Sequence, residues 1–447
     1  MAEGGRQPHL LFVAWAFPPC RAGGVYRALA TANAFAARDW QVTVLTPERD
    51  YFLRYGGADT TLEERIDARI RVERIPFYWP VLDTDVRRYS PLRVYAPRVW
   101  SRWRKHLDRV SFPEVGYGPW RSALEKAADR IHTAHPVDLC VATANPYVAF
   151  TAAWRLHKRG VPYVMDYRDA WSLDVFSGIR LHAGNSRVGR WERRLIAGAK
   201  EVWFVNPAIR AWHVDAYPGF ADKFQVVANG YDFEFTSAKR ASGTSGDPAL
   251  LFGYLGTITQ QVPLAELVDG WRSARERSAL LSRSSAELHG YLGHYQTPSP
   301  VLQRLVNEAA SVGIRYCGPA PKARVEAIYD RFDALLLVLG TGRYVTSGKV
   351  YEYLATGLPI VSVHDPVNAA GDVLRGYPLW FPAKDLSPGS VADALIAAAE
   401  AAAVADPRRR ARAQLFAARY RRDHQLDPRI SSLSLACAES TSVESER

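Results

Sequence analysis

The sequence predicts an α/β protein of two domains, each an open parallel sheet wound on both faces by helices. Two observations carry this. Short apolar runs alternate with helical stretches along the chain, which is the rhythm of a doubly wound parallel sheet. That rhythm then starts again beyond a Gly-, Ser- and Lys-rich connection, KRASGTSGDP (239–248). The length of 447 residues agrees, since it corresponds to about two or three domains.

In chain order the first set of predicted strands is LLFVAW (10–15), QVTVLT (41–46), IRVERI (70–75), DLCVAT (138–143), PYVMDY (162–167), EVWFVN (201–206) and FQVVAN (224–229). Ala-rich or amphipathic stretches such as 26–40 and 147–160 lie between them. The second set is LLFGYL (250–255), ELHGYL (287–292), GIRYC (313–317), DALLLVL (333–339), PIVSV (359–363) and PLWF (378–381). The spacing divides the chain into 1–228, 229–405 and 406–447, the last a basic, helical stretch followed by a polar tail (431–447) expected to be loose at its end. Two such sheets are expected to hold ligands at the carboxyl ends of their strands.

The formal charge of +11 suits nucleic acid, anionic lipid or a phosphorylated substrate; an Arg-rich solvated surface accounts for it equally well. Cys20, Cys140, Cys317 and Cys437 are scattered and form no C-x-x-C pair, which argues against disulfides and structural zinc and for a reducing cytoplasm. LLFVAWAF (10–17) is followed by PPCRAGG rather than a small-residue cleavage site, so a buried first strand is expected. Apolar runs stay shorter than the ~18 residues that span a bilayer.

TSGKVYEY (346–353) resembles half of a P-loop, but Arg343 stands where that motif needs its first Gly and Val350 where it needs Ser or Thr. ATP or GTP hydrolysis is therefore not expected. The physics of anion binding survives. Residues 350–356 are helical in pattern, so Ser347, Gly348 and Lys349 sit at a helix entrance with unpaired N–H groups and a favourable dipole. Ser347 also suits a plain N-cap. Glu352, one turn later, can accept two hydrogen bonds from vicinal hydroxyls, and phosphate plus diol means nucleotide. Gly23 and Gly24 open the first helix without a G-x-G-x-x-G fingerprint. Asp166, Arg168 and Asp169 lie at the carboxyl end of the strand at 162–167, where charges are expected to point toward ligand; a surface ion pair is the other reading.

Together FPPCRAGG (17–24), DYRDAW (166–171), VANGYD (227–232), GYLGTIT (253–259) and TSGKVYEYLATGLPIVSV (346–363) resemble the retaining nucleotide-sugar-dependent glycosyltransferases of family 4. The resemblance spans most of 9–424. It implies the GT-B architecture, two facing Rossmann-like domains with a C-terminal helix crossing back to the first, which would explain 407–424. It further implies that Ser347, Gly348 and Lys349, with Thr346, Arg343, Gly256 and Thr257, hold the donor diphosphate. Glu352 would bind the ribose, and Gly23, Gly24, Asp166, Arg168 and Asp169 would face the sugar or acceptor. Lys349 and Asp169 are the candidate catalytic groups. Two departures stand out. Tyr344 occupies the place of a Glu that contacts the transferred sugar in many members, and TITQQVPLAEL (257–267) lacks the Arg and Lys that usually neutralise the diphosphate.

The resemblance implies a nucleotide diphosphate sugar as co-substrate and no metal or other cofactor. LDTDV (82–86) contains a D-x-D, but in an Arg-rich setting that favours a solvated acidic pair. The acceptor is expected to be a small molecule, a glycan or a lipid-linked sugar. Residues 86–112 carry eight basic residues with Tyr95, Trp100 and Trp103, a composition suited to peripheral membrane contact. Nucleic acid is not an expected partner; the competing readings are the same fold used for a non-standard coupling reaction and a basic binding protein for nucleic acid or membrane surfaces.

Overall fold

The computed structural model describes residues 6–232, 249–293, 300–320, 324–340 and 342–445. The predicted connection at 239–248 lies outside the described residues. The chain forms two compact units. The first comprises the described residues up to Asp174, Ile179–Ala228, and the chain from Gln425 on; the second comprises Val175–Gly178 and Asn229–His424.

The first unit carries seven strands: β1 (His9–Val13), β2 (Gln41–Pro47), β3 (Arg71–Ile75), β4 (Leu139–Thr143), β5 (Tyr163–Asp166), β6 (Glu201–Phe204) and β7 (Phe224–Val226). They form one all-parallel sheet in the order β3-β2-β1-β4-β5-β6-β7. Strands β1 and β4 are buried at every position. This is why they read as unbroken apolar runs rather than alternating ones. Helix α1 (Gly24–Ala36) follows β1 and buries Ala28, Leu29, Ala32 and Phe35 against the sheet. Between β3 and β4 the chain makes two consecutive helices, α2 (Pro91–Tyr95) and α3 (Pro97–Ser111), interrupted at Pro97.

The second unit repeats the plan with β8 (Leu251–Leu255), β9 (Ser285–His289), β10 (Ile314–Gly318), β11 (Ala334–Val338), β12 (Ile360–Val363) and β13 (Trp380–Pro382), parallel in the order β10-β9-β8-β11-β12-β13. Helix α4 (Leu264–Arg277) follows β8, and α5 (Gly348–Thr356) follows β11. Helix α5 ends on Gly357 in the left-handed region, φ 68°. The Ala-rich α6 (Pro388–Val404) contributes Val391, Leu395 and Ala398 to a core with Trp271, Leu336 and Val361. Among the described residues no single helix is long and apolar enough to cross a membrane.

The C-terminal segment differs from expectation in two ways. The basic stretch forms α7 (Pro407–Ala418), which belongs to the second unit; the return to the first unit is made beyond it, by α8 (Arg422–Ser445) from Gln425 onward. The polar tail at 431–447, expected to be loose at its end, continues α8 as far as Ser445; Leu426, Ile430 and Leu433 recur at helical spacing and are buried with Phe12, Trp40 and Val42 in the core of the first unit. Trp40 Nε1 donates to Ser434 Oγ at 3.0 Å, and Arg38 pairs with Asp427 at 2.5 Å.

Candidate functional site

In the second sheet, β8 and β11 are neighbours, and the strand order runs outward from them in opposite directions. Such a switch point is where doubly wound sheets bind ligands, beyond the carboxyl ends of the strands. The loops that leave these two strands carry Gly256 and Thr257 on one side and Arg343 to Lys349 on the other. Ser347 caps α5, its hydroxyl accepting from the Lys349 amide at 3.4 Å. Thr346 is buried beside it.

Lys349 leaves the first turn of α5 and reaches back to β8. Its ammonium donates to Tyr254 Oη at 2.6 Å and lies 4.2 Å from the centre of that ring. Tyr254 in turn donates to the Thr257 carbonyl at 2.9 Å. Burial pushes the Lys349 ammonium down to about 8, against an opposing pull from Glu352. Gly256 has φ 143°, and a Cβ there would lie 2.5 Å from Lys349 Cε. The lysine therefore passes where any other residue would carry its side chain. The β8 end is fastened to α5 by Tyr353, whose hydroxyl accepts from the Leu255 amide at 2.9 Å.

Glu352 is half-buried on the same helix, one turn beyond Lys349, and accepts from Tyr329 Oη at 3.2 Å. Arg343 is exposed, its guanidinium 5.8 Å from the Tyr344 ring. Tyr344 is partly buried against Gly178, where a Cβ would approach it to 3.0 Å. The second unit thus brings together a helix N-terminus, an ammonium, a glycine turn and a carboxylate, a set suited to a diphosphate and a diol.

In the first unit the expected residues divide. Gly24 is required by close approach, since a Cβ there would fall 1.8 Å from Arg168 Nη1; at Gly23 nothing lies within 4 Å. Arg168 pairs with Asp169 at 2.8 Å, and Asn145 Nδ2 donates to Asp169 at 3.2 Å. Asp166 does not join them. It is fully buried and accepts three hydrogen bonds from Arg27, the shortest 2.7 Å. As the last residue of β5 it points into the layer beneath α1, so its charge serves packing rather than an acceptor.

Sequence reasoning missed several groups. Tyr254 and Tyr329, which hold Lys349 and Glu352, read only as apolar strand and helix positions. Glu114 accepts from the Tyr147 and Val148 amides at 3.0 and 2.8 Å, and burial pushes its carboxyl up to about 7. It sits in an irregular loop, SFPEVGY, where no periodicity marks it. Asp83 and Asp85 of the D-x-D are engaged locally. Asp83 accepts from Tyr78 Oη and the Asp85 amide, and Asp85 from Arg87. Among the described residues Glu287, His289 and Cys317 offer ligand atoms within 4.8 Å of one another. Glu287, however, already accepts from His289, Arg315 and Arg331, so two guanidiniums stand where a cation would.

Residues 22–230 match the family model of the glycosyl transferase 4-like domain. The first unit therefore carries a glycosyl transferase 4-like domain, and the chain has the GT-B fold. No curated protein matches it. Among solved structures it is similar to an α,α-trehalose 6-phosphate synthase from Burkholderia multivorans (14% identity, TM-score 0.65, covering 98% of this chain and 99% of that one). It is also similar to a glycosyltransferase from Rickettsia africae (11%, 0.62, 96% and 98%). A third is the trehalose-6-phosphate structure from E. coli bound with UDP-2-fluoro glucose (14%, 0.60, 95% and 98%). At these identities the likeness is one of fold.

Gly348 separates a ligand site from a simple helix start. A Cβ at Gly348 would meet nothing within 4 Å, and alanine is the better helix former. Gly348→Ala is expected to leave the melting temperature unchanged or slightly raised. It should weaken nucleoside diphosphate binding about tenfold by crowding the N–H groups. Equal affinity of the two proteins in calorimetric titration would reduce Gly348 to a helix residue.

Proposed function

We propose that the protein transfers a sugar, with retention of anomeric configuration, from a nucleotide diphosphate sugar to an acceptor hydroxyl. The observation that carries this reading is the convergence of Lys349, Gly256 and the α5 N-terminus at the switch point of the second sheet, with Glu352 one turn on. In this reading Thr346, Ser347, Gly348 and Lys349, with Gly256, Thr257 and Arg343, hold the diphosphate, and Glu352 holds the ribose hydroxyls. Tyr344 takes part in sugar choice. Gly23, Gly24, Arg168 and Asp169 serve the acceptor, which is a small molecule, a glycan or a lipid-linked sugar. The work is done in the cytoplasm, at the membrane surface where the acceptor is lipid-linked.

The chemistry asks for stabilisation of a leaving group. As the bond from the anomeric carbon to the diphosphate oxygen breaks, charge builds on that oxygen, and Lys349 with the helix N-terminus meets it. The acceptor oxygen forms the new bond on the same face, and its proton passes to the departing phosphate. No protein nucleophile is needed, and the diphosphate charge is met without a metal.

The test is a thermal-shift screen against UDP, GDP, dTDP and their common sugars; stabilisation by none of them would remove the reading. A pH dependence follows from Lys349. The diphosphate selects the charged ammonium, so binding raises a pKa that stands at about 8 in the free protein. Affinity is therefore expected to fall as pH rises above about 8, with proton uptake on binding near that pH. Calorimetry in buffers of different ionisation enthalpy reads the uptake directly, and a flat profile from pH 7 to 9 would place Lys349 away from the phosphates.

A further inference from the structure

The outer face of the α2–α3 segment combines two features that are separately ordinary and together are not. Along α3, Val99, Trp103 and Val110 fall at i, i+4 and i+11 and form one apolar stripe. All three are exposed, Trp103 to 51%. Leu92, Val94 and Tyr95 of the preceding α2 are exposed as well, Tyr95 to 86%. Beside it on α3, Arg98, Arg102, Lys105 and Arg109 fall at i, i+4, i+7 and i+11 and form a parallel basic stripe, also exposed.

None of these four cations has a side-chain hydrogen bond or ion pair among the described residues. Elsewhere in the first unit exposed arginines meet acids, as in Arg6–Asp138, Arg49–Glu63 and Arg155–Asp129. The one acidic residue of α3, Asp108, is fully buried on the opposite side, where it pairs with Arg104 at 2.8 Å and accepts from the Gly116 amide. That inner side is firmly held. Arg93 stacks on Tyr89 and Trp100 and donates to the Pro80 and Asp83 carbonyls. Arg187 donates to the Arg109 carbonyl, and Phe112 stacks on Trp171. Helix α3 is thus a held platform whose outer surface offers uncompensated positive charge beside exposed Trp and Val.

We infer that this outer face docks on an anionic lipid surface. The apolar stripe would enter the boundary between headgroups and acyl chains, and Arg98, Arg102, Lys105 and Arg109 would lie at the level of the lipid phosphates. The charge pattern selects lipid over a second copy of the chain, which would bring the same unpaired cations together. The aliphatic stripe selects it over nucleic acid, whose backbone and bases give Val99 and Val110 little to bury against. The inference stands on this surface alone and holds whichever sugar is transferred.

The experiment is co-sedimentation of the full chain with vesicles of phosphatidylcholine, with and without phosphatidylglycerol, at low and high salt. Binding is expected only to the phosphatidylglycerol vesicles and is weakened by salt. Each of Arg98→Gln, Arg102→Gln and Arg109→Gln is expected to weaken it about fivefold. A Val99→Ser/Trp103→Ser variant is expected to weaken it further and to lose the blue shift of Trp fluorescence seen with vesicles. All these positions are exposed, so unchanged melting temperatures and nucleotide-induced thermal shifts keep lipid binding separate from folding and from donor binding. Four outcomes would overturn the inference: no sedimentation at low salt, equal binding to neutral vesicles, indifference to the variants, or duplex DNA bound as tightly as the anionic vesicles. A shift from dimer to monomer in the serine variant would instead assign the face to a second copy.

Discussion

Lys349→Ala is expected to slow sugar transfer about 100-fold, the scale for deleting one donor that meets charge in a transition state. The ammonium is held between Tyr254 Oη and the turn at Gly256, on the first turn of α5. In the proposed reading its loss leaves the helix N-terminus and Arg343 to face the diphosphate, since 257–267 contains no Lys or Arg. Stability should move the other way. Burial lowers the lysine's pKa in the folded protein from its ordinary 10.5 to about 8, so the charged form is disfavoured by folding. That destabilising contribution is fully present below pH 8 and fades as pH rises from about 8 toward 10.5. At pH 7, Lys349→Met, which keeps the apolar stem and removes the charge, is expected to melt no lower than the parent while transferring sugar as slowly as the alanine variant. A rate within a few-fold of the parent, measured under saturating donor, would leave the lysine a structural prop for Tyr254.

The sheets were legible for a physical reason. Strands covered on both faces must be apolar throughout, and β1, β4 and β11 are buried at all five positions. Edges were less legible. The run predicted at 287–292 begins two residues earlier, as β9, and PLWF enters its sheet only from Trp380, since edge and terminal residues are bounded by pairing partners rather than by their own apolarity. The helix entrance at 347–349 was legible because a cap, a glycine and a cation lie side by side in sequence. The groups that hold them in place, Tyr254 and Tyr329, lie 95 and 23 residues away from their partners, and no local pattern reports such distances. The C-terminal helix shows the same limit. Leu426, Ile430 and Leu433 have helical spacing, yet the polar residues between them conceal it until the partner surface on the first unit is known.

Asp166 is the instructive error, and it carries the other large prediction. A charge at the carboxyl end of a buried strand suggests a ligand, but this one faces inward and is satisfied by a residue 139 positions earlier. Arg27 and Asp166 are 4% and 0% exposed as side chains. Arg27 also donates to the carbonyls of Val227 and Ala228 at 2.8 and 3.1 Å, so one guanidinium ties α1, the end of β5 and the last residues before the chain leaves the first unit. Arg27→Ala strands a buried carboxylate and two carbonyls at once and is expected to lower the unfolding free energy by about 3–5 kcal/mol. Taking two charges out of water offsets most of what their attraction returns, so the intact pair is not itself a strong source of stability. A double variant, Arg27→Met with Asp166→Leu, should therefore recover much of the loss despite lacking the ion pair altogether. Urea denaturation of the three proteins reads both effects. If Asp166 instead served an acceptor, Asp166→Leu would abolish transfer in a protein that still folds and still shifts with nucleotide. The buried geometry predicts that any loss of activity tracks the loss of folded protein.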